Sequence, residues 1–528
     1  MSAVAKAPQA KLGFAPTQEQ EAIMASMRQS ESTIVTAYAG CAKTTTLGLA
    51  SSQVKVPALA LAFNKSIVKE FEGRFPENFT VKTLNGLGHQ AWARALPQLP
   101  RLELKANKLA TLITEVSKGR KVKLMNEQWF QLRALVTGAM QAGLVPKGFG
   151  PEGAVADTPE AWEAIADEQN IGKADAEFLQ DLAKQILEED IRLAKQGVIS
   201  FDDQVYCPTM LGGKFPKFPV VFVDEAQDLS MLNHRMLGEC LGRADAKLVA
   251  VGDPKQAIYA FRGADSESMS NIRQLRSSWI EKPLATTFRC PKAIVSRQQA
   301  HAPGFRAHEQ NAAGLFVPAG ERGTKWGWAQ VQKLIPEGPG AKAAVLCRNN
   351  GPLLTLAFKL IRQGVGVMML GREIGKGLTV LSKKLAPDDE MPAAAIASRI
   401  QDWSERECAL ALANGKEHKV DGIQDQAECL QAVLSGAECR DAKDLRQQLE
   451  QLFAREHGVV TLSSIHKSKG LEWDLVLHLD PWRLPSPQAK KATALGDDRA
   501  LKQEWNLKYV AETRTKQVLV EARMEDFQ

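Results

Sequence analysis

Val220-Val221-Phe222-Val223-Asp224-Glu225-Ala226-Gln227-Asp228 is an apolar run that ends abruptly in carboxylates. A buried strand that delivers two adjacent acids to the carboxyl edge of a parallel sheet can hold a magnesium ion against a nucleoside triphosphate. That edge is where such sheets bind ligands, and magnesium takes hard oxygen ligands. A triphosphate also needs a cradle for its phosphates and a cation for the charge that develops on transfer. A lysine-bearing loop upstream and an arginine-bearing helix downstream supply a candidate for each.

Upstream, Ser32-Thr33-Ile34-Val35-Thr36 reads as a β-branched strand. It runs through Ala37-Tyr38-Ala39-Gly40-Cys41-Ala42-Lys43-Thr44-Thr45 into a helix carrying Leu47, Leu49 and Ala50. Strand, small-residue loop, Lys-Thr and helix is a phosphate-cradling order, in which backbone N–H groups and the helix N-terminus face the anion. Gly40, Cys41 and Ala42 form the cradle, and Thr45 lies in the first helical turn. Lys43 is placed for the β- and γ-phosphates and the Thr44 hydroxyl for magnesium. The general pattern has glycine at positions 37 and 42, yet both are alanine. If position 42 needs a left-handed backbone, alanine costs on the order of 1 kcal/mol there. Further upstream, Thr17 reads as a helix N-cap, and Gln20 carries an amide able to read an adenine edge. Taken alone, Gln20 is expected to be an exposed helix residue.

Two further strands, Pro57 to Phe63 and Thr80 to Thr83, end in Phe63, Asn64, Lys65 and Thr83. An aromatic ring, an amide, a hydroxyl and an ammonium along one sheet edge offer base stacking and phosphate contacts. Ordinary strand-to-helix connections use the same residues, so both readings stand. Beyond the carboxylates, the strand Lys247 to Val251 runs into Gly252-Asp253-Pro254-Lys255-Gln256. The Gln256 amide falls beside the acids, where it can sense a γ-phosphate, and Tyr259, Phe261 and Arg262 follow as a group suited to base stacking.

Helical patterns such as Leu109-Leu112-Ile113-Val116 and Phe178-Leu179-Leu182-Ile186-Leu187 mark an insertion. A second lies around Ile396, Ile400, Trp403, Leu430, Val433, Leu445 and Leu449. The division expected is a first core over 12–93 and 196–281, interrupted by a helical insertion over 94–195. A second core spans 282–378 and 457–528, interrupted by a helical insertion over 379–456. The run Lys118-Gly119-Arg120-Lys121-Val122-Lys123 is either a phosphate-contact patch or a solvated basic face.

With 528 residues, 44% of them hydrophobic, the chain can build several cores. A net charge of +6 is compatible with a nucleic-acid partner and equally with many enzymes. The eight cysteines include no C-x-x-C pair, so reduced structural thiols are expected rather than a metal site or disulfides. No apolar run reaches the roughly 18 residues of a membrane span, so no membrane partner is expected. Met1 to Lys11 lacks an apolar h-region and reads as a loose leader. The location expected is cytoplasmic, or nuclear in a eukaryote.

In combination the segments resemble those of superfamily 1 helicases of the UvrD/PcrA/Rep type, in the same order over nearly the whole chain. They are Gln20, Ala39 to Thr44, Asp224 to Asp228, Gly252 to Gln256 through Gly263-Ala264, Phe288-Arg289, His466-Lys467-Ser468-Lys469-Gly470-Leu471-Glu472, and Tyr509 to Arg514. The resemblance implies an α/β chain of two RecA-like parallel-sheet cores of the P-loop NTPase kind, each with a mainly helical inserted subdomain. It implies ATP and Mg2+ as cofactors, single-stranded DNA and duplex–single-strand junctions as partners, and a 3′-to-5′ DNA helicase or translocase activity. By that likeness Asp224 joins Thr44 on the metal, Glu225 orients or deprotonates the attacking water, and Gln256 senses the γ-phosphate. Arg289 and Arg514 are then arginine fingers, Glu472 contacts the ribose and Tyr509 belongs to the nucleotide set. Phe63, Tyr259, Phe261, Arg262 and His466 line the strand track.

Some positions depart from the family pattern. Tyr38 and Ala42 stand where glycine is usual, Asn85 stands where histidine is usual, and Ala62-Phe63-Asn64-Lys65 is a residue shorter than the common form, as in F-box and phage-type relatives. The last helix is expected to expose Arg514, and no nuclease-like acid pattern follows it. An RNA-directed motor and a nucleic-acid-binding protein with a decayed nucleotide site are the alternatives.

Overall fold

The computed structural model describes residues 15–527 apart from 170, 259–266, 321–326, 337–341, 414–418, 456, 495 and 497. The chain divides into two units, Met1–Pro254 with Tyr259–Ala285, and Lys255–Ile258 with Thr286–Gln528.

The first unit is built on six strands: β1 (Ser32–Ala37), β2 (Ala58–Ala62), β3 (Phe79–Thr83), β4 (Val220–Val223), β5 (Lys247–Gly252) and β6 (Trp279–Leu284). They are parallel throughout, in the order β3-β2-β4-β5-β1-β6. The central strands are apolar on both faces, as a sheet covered on both sides requires: β2, β4 and β5 are buried at every residue. Register pairs Thr36 with Gly252 and Val223 with Ala250, so β1 and β4 flank β5 and leave the sheet at one edge. Strand β6 pairs with β1 through Leu284, which places Lys282, Pro283 and Leu284 with the first sheet rather than with a second core starting at 282. Proline fits there because β6 is an edge strand.

Between β3 and β4 lie the helices Lys108–Gly119, Asn126–Ala142, Pro159–Glu168 and Lys173–Lys195. Their buried faces, including Leu112, Ile113, Val136, Trp162, Leu179 and Ile186, share one continuous core with Ile34, Leu59 and Val221 of the sheet. Phe178, grouped by periodicity with the buried residues, is instead exposed.

The second unit carries β7 (Leu315–Val317), β8 (Ala343–Cys347), β9 (Val367–Met369), β10 (Val460–Ser464), β11 (Trp473–Leu479) and β12 (Thr515–Ala522). These are again parallel, in the order β7-β12-β11-β8-β10-β9. Helix Gly351–Arg362 closes the β8–β9 crossover, and four helices from Arg372 to Ala454 intervene before β10. Ile396, Ile400, Trp403, Leu430, Val433, Leu445 and Leu449 are buried in the core shared with that sheet. Two such sheets, wrapped by helices, are two RecA-like cores. All eight cysteines are free, and seven are buried. Among the described residues no helix is long and apolar enough to cross a membrane.

Helices Leu84–Ala95 and Asp203–Met210 meet at Gly88, where an added Cβ would lie 1.8 Å from the Gln204 carbonyl oxygen. Gly88→Ala is therefore expected to lose about 1–3 kcal/mol of stability, the usual cost of overpacking, measured by urea unfolding. A wild-type midpoint would contradict this close approach.

Candidate functional site

The chain leaves β1 through Gly40 (φ 70°) and Ala42, which adopts the left-handed conformation at φ 57°, ψ 43°. Helix Lys43–Ser51 starts there without a side-chain cap, so its first N–H groups face outward, as an anion site requires. Of the two alanines in the loop, only Ala42 sits where glycine is the easier residue; Ala37 ends the strand with an ordinary backbone.

Lys43 Nζ lies 2.8 Å from Glu225 Oε2. Burial alone lowers the pKa of this ammonium, but the charges of Glu225, Asp224 and Asp253 outweigh it and the net shift is upward. Glu225 is itself left-handed (φ 51°) and opens the tight turn Ala226–Asp228. Its backbone N–H donates to Asp224 Oδ1 at 2.9 Å, and Gln227 Nε2 donates to its Oε2 at 2.6 Å. Gln227 Oε1 in turn accepts from the Asp253 N–H at 2.9 Å, fastening the acidic turn to the end of β5. Asp224 is 4% exposed, and burial together with the Glu225 charge pushes its carboxyl up to about 7, with Lys43 opposing. Hard oxygen donors from Thr44 and Asp224, beside a helix N-terminus and an ammonium, fit a magnesium-bound triphosphate.

Gln20 is 1% exposed, not on a free helix face. Its Oε1 accepts from the Thr17 N–H at 3.0 Å, closing a capping box, and its Nε2 donates to Thr46 Oγ1 at 3.1 Å. The Thr46 hydroxyl donates in turn to the Ala42 carbonyl at 2.9 Å. The amide thus props the phosphate loop from behind, and reading adenine would require it to exchange these bonds. Thr45 Oγ1 accepts from Arg74 at 2.6 Å.

Gln256 ends the turn Pro254–Gln256 and is buried. Its carbonyl accepts from Lys469 Nζ at 2.7 Å within the second unit. There Glu472 pairs with Arg289 at 2.6 Å and with Lys516 at 2.7 Å. Burial raises its carboxyl, but the two cations outweigh this and hold it below the ordinary range. Arg514 does not project from the last helix: it is 1% exposed. Its Nε donates to the Val510 carbonyl at 3.0 Å and its Nη1 to that of Leu471 at 3.3 Å. Helix Arg499–Glu512 has just ended and β12 begins one residue later, so the guanidinium folds under and caps the Val510 carbonyl of that helix. Arg289 and Arg514 still share a neighbourhood, since both oppose the upward effect of burial on the Cys290 thiol. Tyr509 is wholly buried against His301 and Phe305 and presents no surface to a nucleotide. His466 is half-buried on the short helix after β10.

Phe63 is well exposed at the end of β2. Asn64 and Thr83 are helix caps, accepting from the Ile67 and Gly86 N–H groups at 3.0 Å each, while Lys65 is exposed. Tyr259, Phe261 and Arg262 lie outside the described residues. Two aromatics were given no role in the sequence. Phe201 is 55% exposed, and its carbonyl accepts from Asn85 Nδ2 at 2.8 Å. Because β2 and β3 pair Ala62 with Thr83, Asn85 and the Phe201 it holds belong to the same sheet edge as Phe63. Phe288, beside Arg289, is exposed and leans on His308 with ring centroids 4.9 Å apart. The available signal was position: each aromatic stands immediately beside a charged residue at the end of a strand.

Residues 101–276 match the UvrD/REP helicase N-terminal domain, and residues 417–523 match the UvrD-like helicase C-terminal domain. The chain belongs to the superfamily 1 helicases of the UvrD/PcrA/Rep type. This UvrD-type chain is 24% identical over 550 residues to F-box DNA helicase protein 1 of Schizosaccharomyces pombe, covering 96% of the chain and 57% of the relative. F-box DNA helicase 1 of Gallus gallus is 24% identical over 532 residues, covering 96% and 48%. ATP-dependent DNA helicase UvrD2 of Mycobacterium tuberculosis is 24% identical over 289 residues, covering 48% and 40%. The chain spans about half the length of the curated relatives it matches.

In this UvrD-type loop the left-handed Ala42 carries strain that glycine removes. Ala42→Gly is expected to raise stability by up to about 1 kcal/mol, less what glycine loses in chain entropy, and Ala42→Val to lower it further. Urea unfolding of the three proteins checks the order; a glycine variant less stable than wild type contradicts it.

Proposed function

We propose that the chain is an ATP-dependent DNA helicase or single-stranded DNA translocase, and that it moves 3′ to 5′. The observation that carries this reading is the Lys43–Glu225 pair, in which the cation of the phosphate loop is held against the acid beside the metal-binding carboxylate. Magnesium, when bound with ATP, neutralises phosphate charge. Thr44 and Asp224 would hold it, and Lys43, now paired with Glu225, would pair with the phosphates instead. Glu225, released from its counter-ion, orients or deprotonates the attacking water, while Gln227 keeps the acidic turn fixed. Gln256 senses the terminal phosphate, and Arg289 and Arg514 supply the positive charge that phosphoryl transfer needs. Glu472 is assigned the ribose, and Phe288 offers a ring face for a base.

Phe63, Phe201, Lys65 and His466, with Tyr259, Phe261 and Arg262, are assigned to the strand. DNA rather than RNA, and the direction of movement, rest on likeness to relatives.

ATP hydrolysis by the full chain is expected to rise with single-stranded DNA. It should fall by roughly a hundredfold or more in Lys43→Ala and in Glu225→Gln, the scale for losing one transition-state contact. Wild-type turnover in either variant sinks the assignment. On tailed duplexes, strand separation is expected with a 3′ tail; separation only with a 5′ tail overturns the polarity.

A further inference from the structure

Lys108, Asp190 and Asp203 form an ionic cluster sealed from solvent, with side-chain exposures of 2%, 2% and 0%. Lys108 opens helix Lys108–Gly119, Asp190 lies on helix Lys173–Lys195, and Asp203 opens helix Asp203–Met210, which leads back towards β4. Lys108 Nζ reaches Asp203 Oδ2 at 2.7 Å, Asp190 Oδ1 at 3.0 Å and the Asp190 carbonyl at 2.8 Å. Burial and the Asp203 charge raise the Asp190 carboxyl, whereas bonds from Asp190 and Lys108 hold Asp203 low against burial. A well-packed apolar trio would stabilise the fold as well or better, so the charges call for a positional explanation.

That explanation lies at Asp203. Its Oδ2 also accepts from the Ser200 N–H at 2.7 Å, and its own N–H donates to Ser200 Oγ at 3.1 Å. The two bonds close a turn around Phe201, whose carbonyl is pinned from the other side by Asn85. The ring stays 55% exposed while its backbone is fastened on both flanks.

We infer that Lys108 is a positioning residue: through Asp203 it sets the Ser200–Asp203 turn, and so the angle at which Phe201 meets a nucleic-acid base. The inference rests on the nucleic-acid reading above and extends it to a residue remote from the strand. A role in folding alone would change how much protein is active. A role in positioning changes how much DNA that protein needs.

The test is ATP hydrolysis by the full chain against poly-dT concentration, for Lys108→Met, Phe201→Ala and their combination. Lys108→Met/Asp203→Asn, which removes one charge of each sign and leaves an oxygen for Ser200, serves if the single variant fails to fold. Both Lys108 variants are expected to keep DNA-free and DNA-saturated rates within about twofold of wild type. They should raise the half-saturating DNA concentration by about fivefold or more, the lower end of one base stack. Phe201→Ala is expected to shift it similarly, and adding Lys108→Met to shift it no further, because both act through one ring. An unchanged half-saturation point in a folded Lys108 variant, a fall in maximal rate alone, or additive shifts overturn the inference. A wild-type chain that hydrolyses ATP without responding to DNA overturns the nucleic-acid reading itself, and this inference with it.

Discussion

The pairing of Lys43 with Glu225 depends on two loops leaving a parallel sheet side by side, and it fixes much else. With β5 between β1 and β4 and the three strands in register, the loop after β1 and the turn after β4 emerge at one edge. Each then bends through a left-handed residue that is not glycine, Ala42 in one and Glu225 in the other. Such residues persist only where the surroundings over-determine them. Here the surroundings are the Gln20–Thr46–Ala42 chain behind the loop and the Gln227 bridge to Asp253 behind the acids. The site is therefore a property of the sheet and its supports rather than of a flexible loop.

Charge is unbalanced at that edge. Asp224, Glu225 and Asp253 act on one lysine, and Asp224 is raised because burial and Glu225 together outweigh Lys43. Such a cluster favours a divalent cation, whose hard oxygen preference matches the donors present. The second unit shows the reverse at Glu472, where Arg289 and Lys516 share one carboxylate and Arg514 lies near Arg289 around Cys290.

The central strands of the first sheet were legible because strands buried on both faces must be apolar runs, and those of β2, β4 and β5 announce themselves. Strand β6 was not, because an edge strand holding Glu281, Lys282 and Pro283 lacks that signature. The left-handed backbone at position 42 could be anticipated from the glycine pattern. Burial of Gln20, Tyr509 and Arg514 could not, since a sequence gives a polar side chain's capacity and not which partner satisfies it. Arg514 finds the Val510 and Leu471 carbonyls and Gln20 a threonine, contacts set only by packing.

The same limit shows what kind of recognition the first sheet edge favours. Asn64 and Thr83 were candidates for contacts to a nucleic acid, but their side chains hold the Ile67 N–H and the Gly86 N–H, and Asn85 holds the Phe201 carbonyl. Amides and hydroxyls that cap helices are no longer available to read base edges. Exposed at that edge are the Phe63 and Phe201 rings and the Lys65 ammonium, together with Asn64 and Asp202. Rings stack on any base and an ammonium binds any phosphate, so this surface suits a strand of arbitrary sequence. Under the proposed function the polar residues hold the backbone that aims the rings; Phe63 was legible in the sequence as a stacking residue, whereas Phe201, held through Asn85, was not.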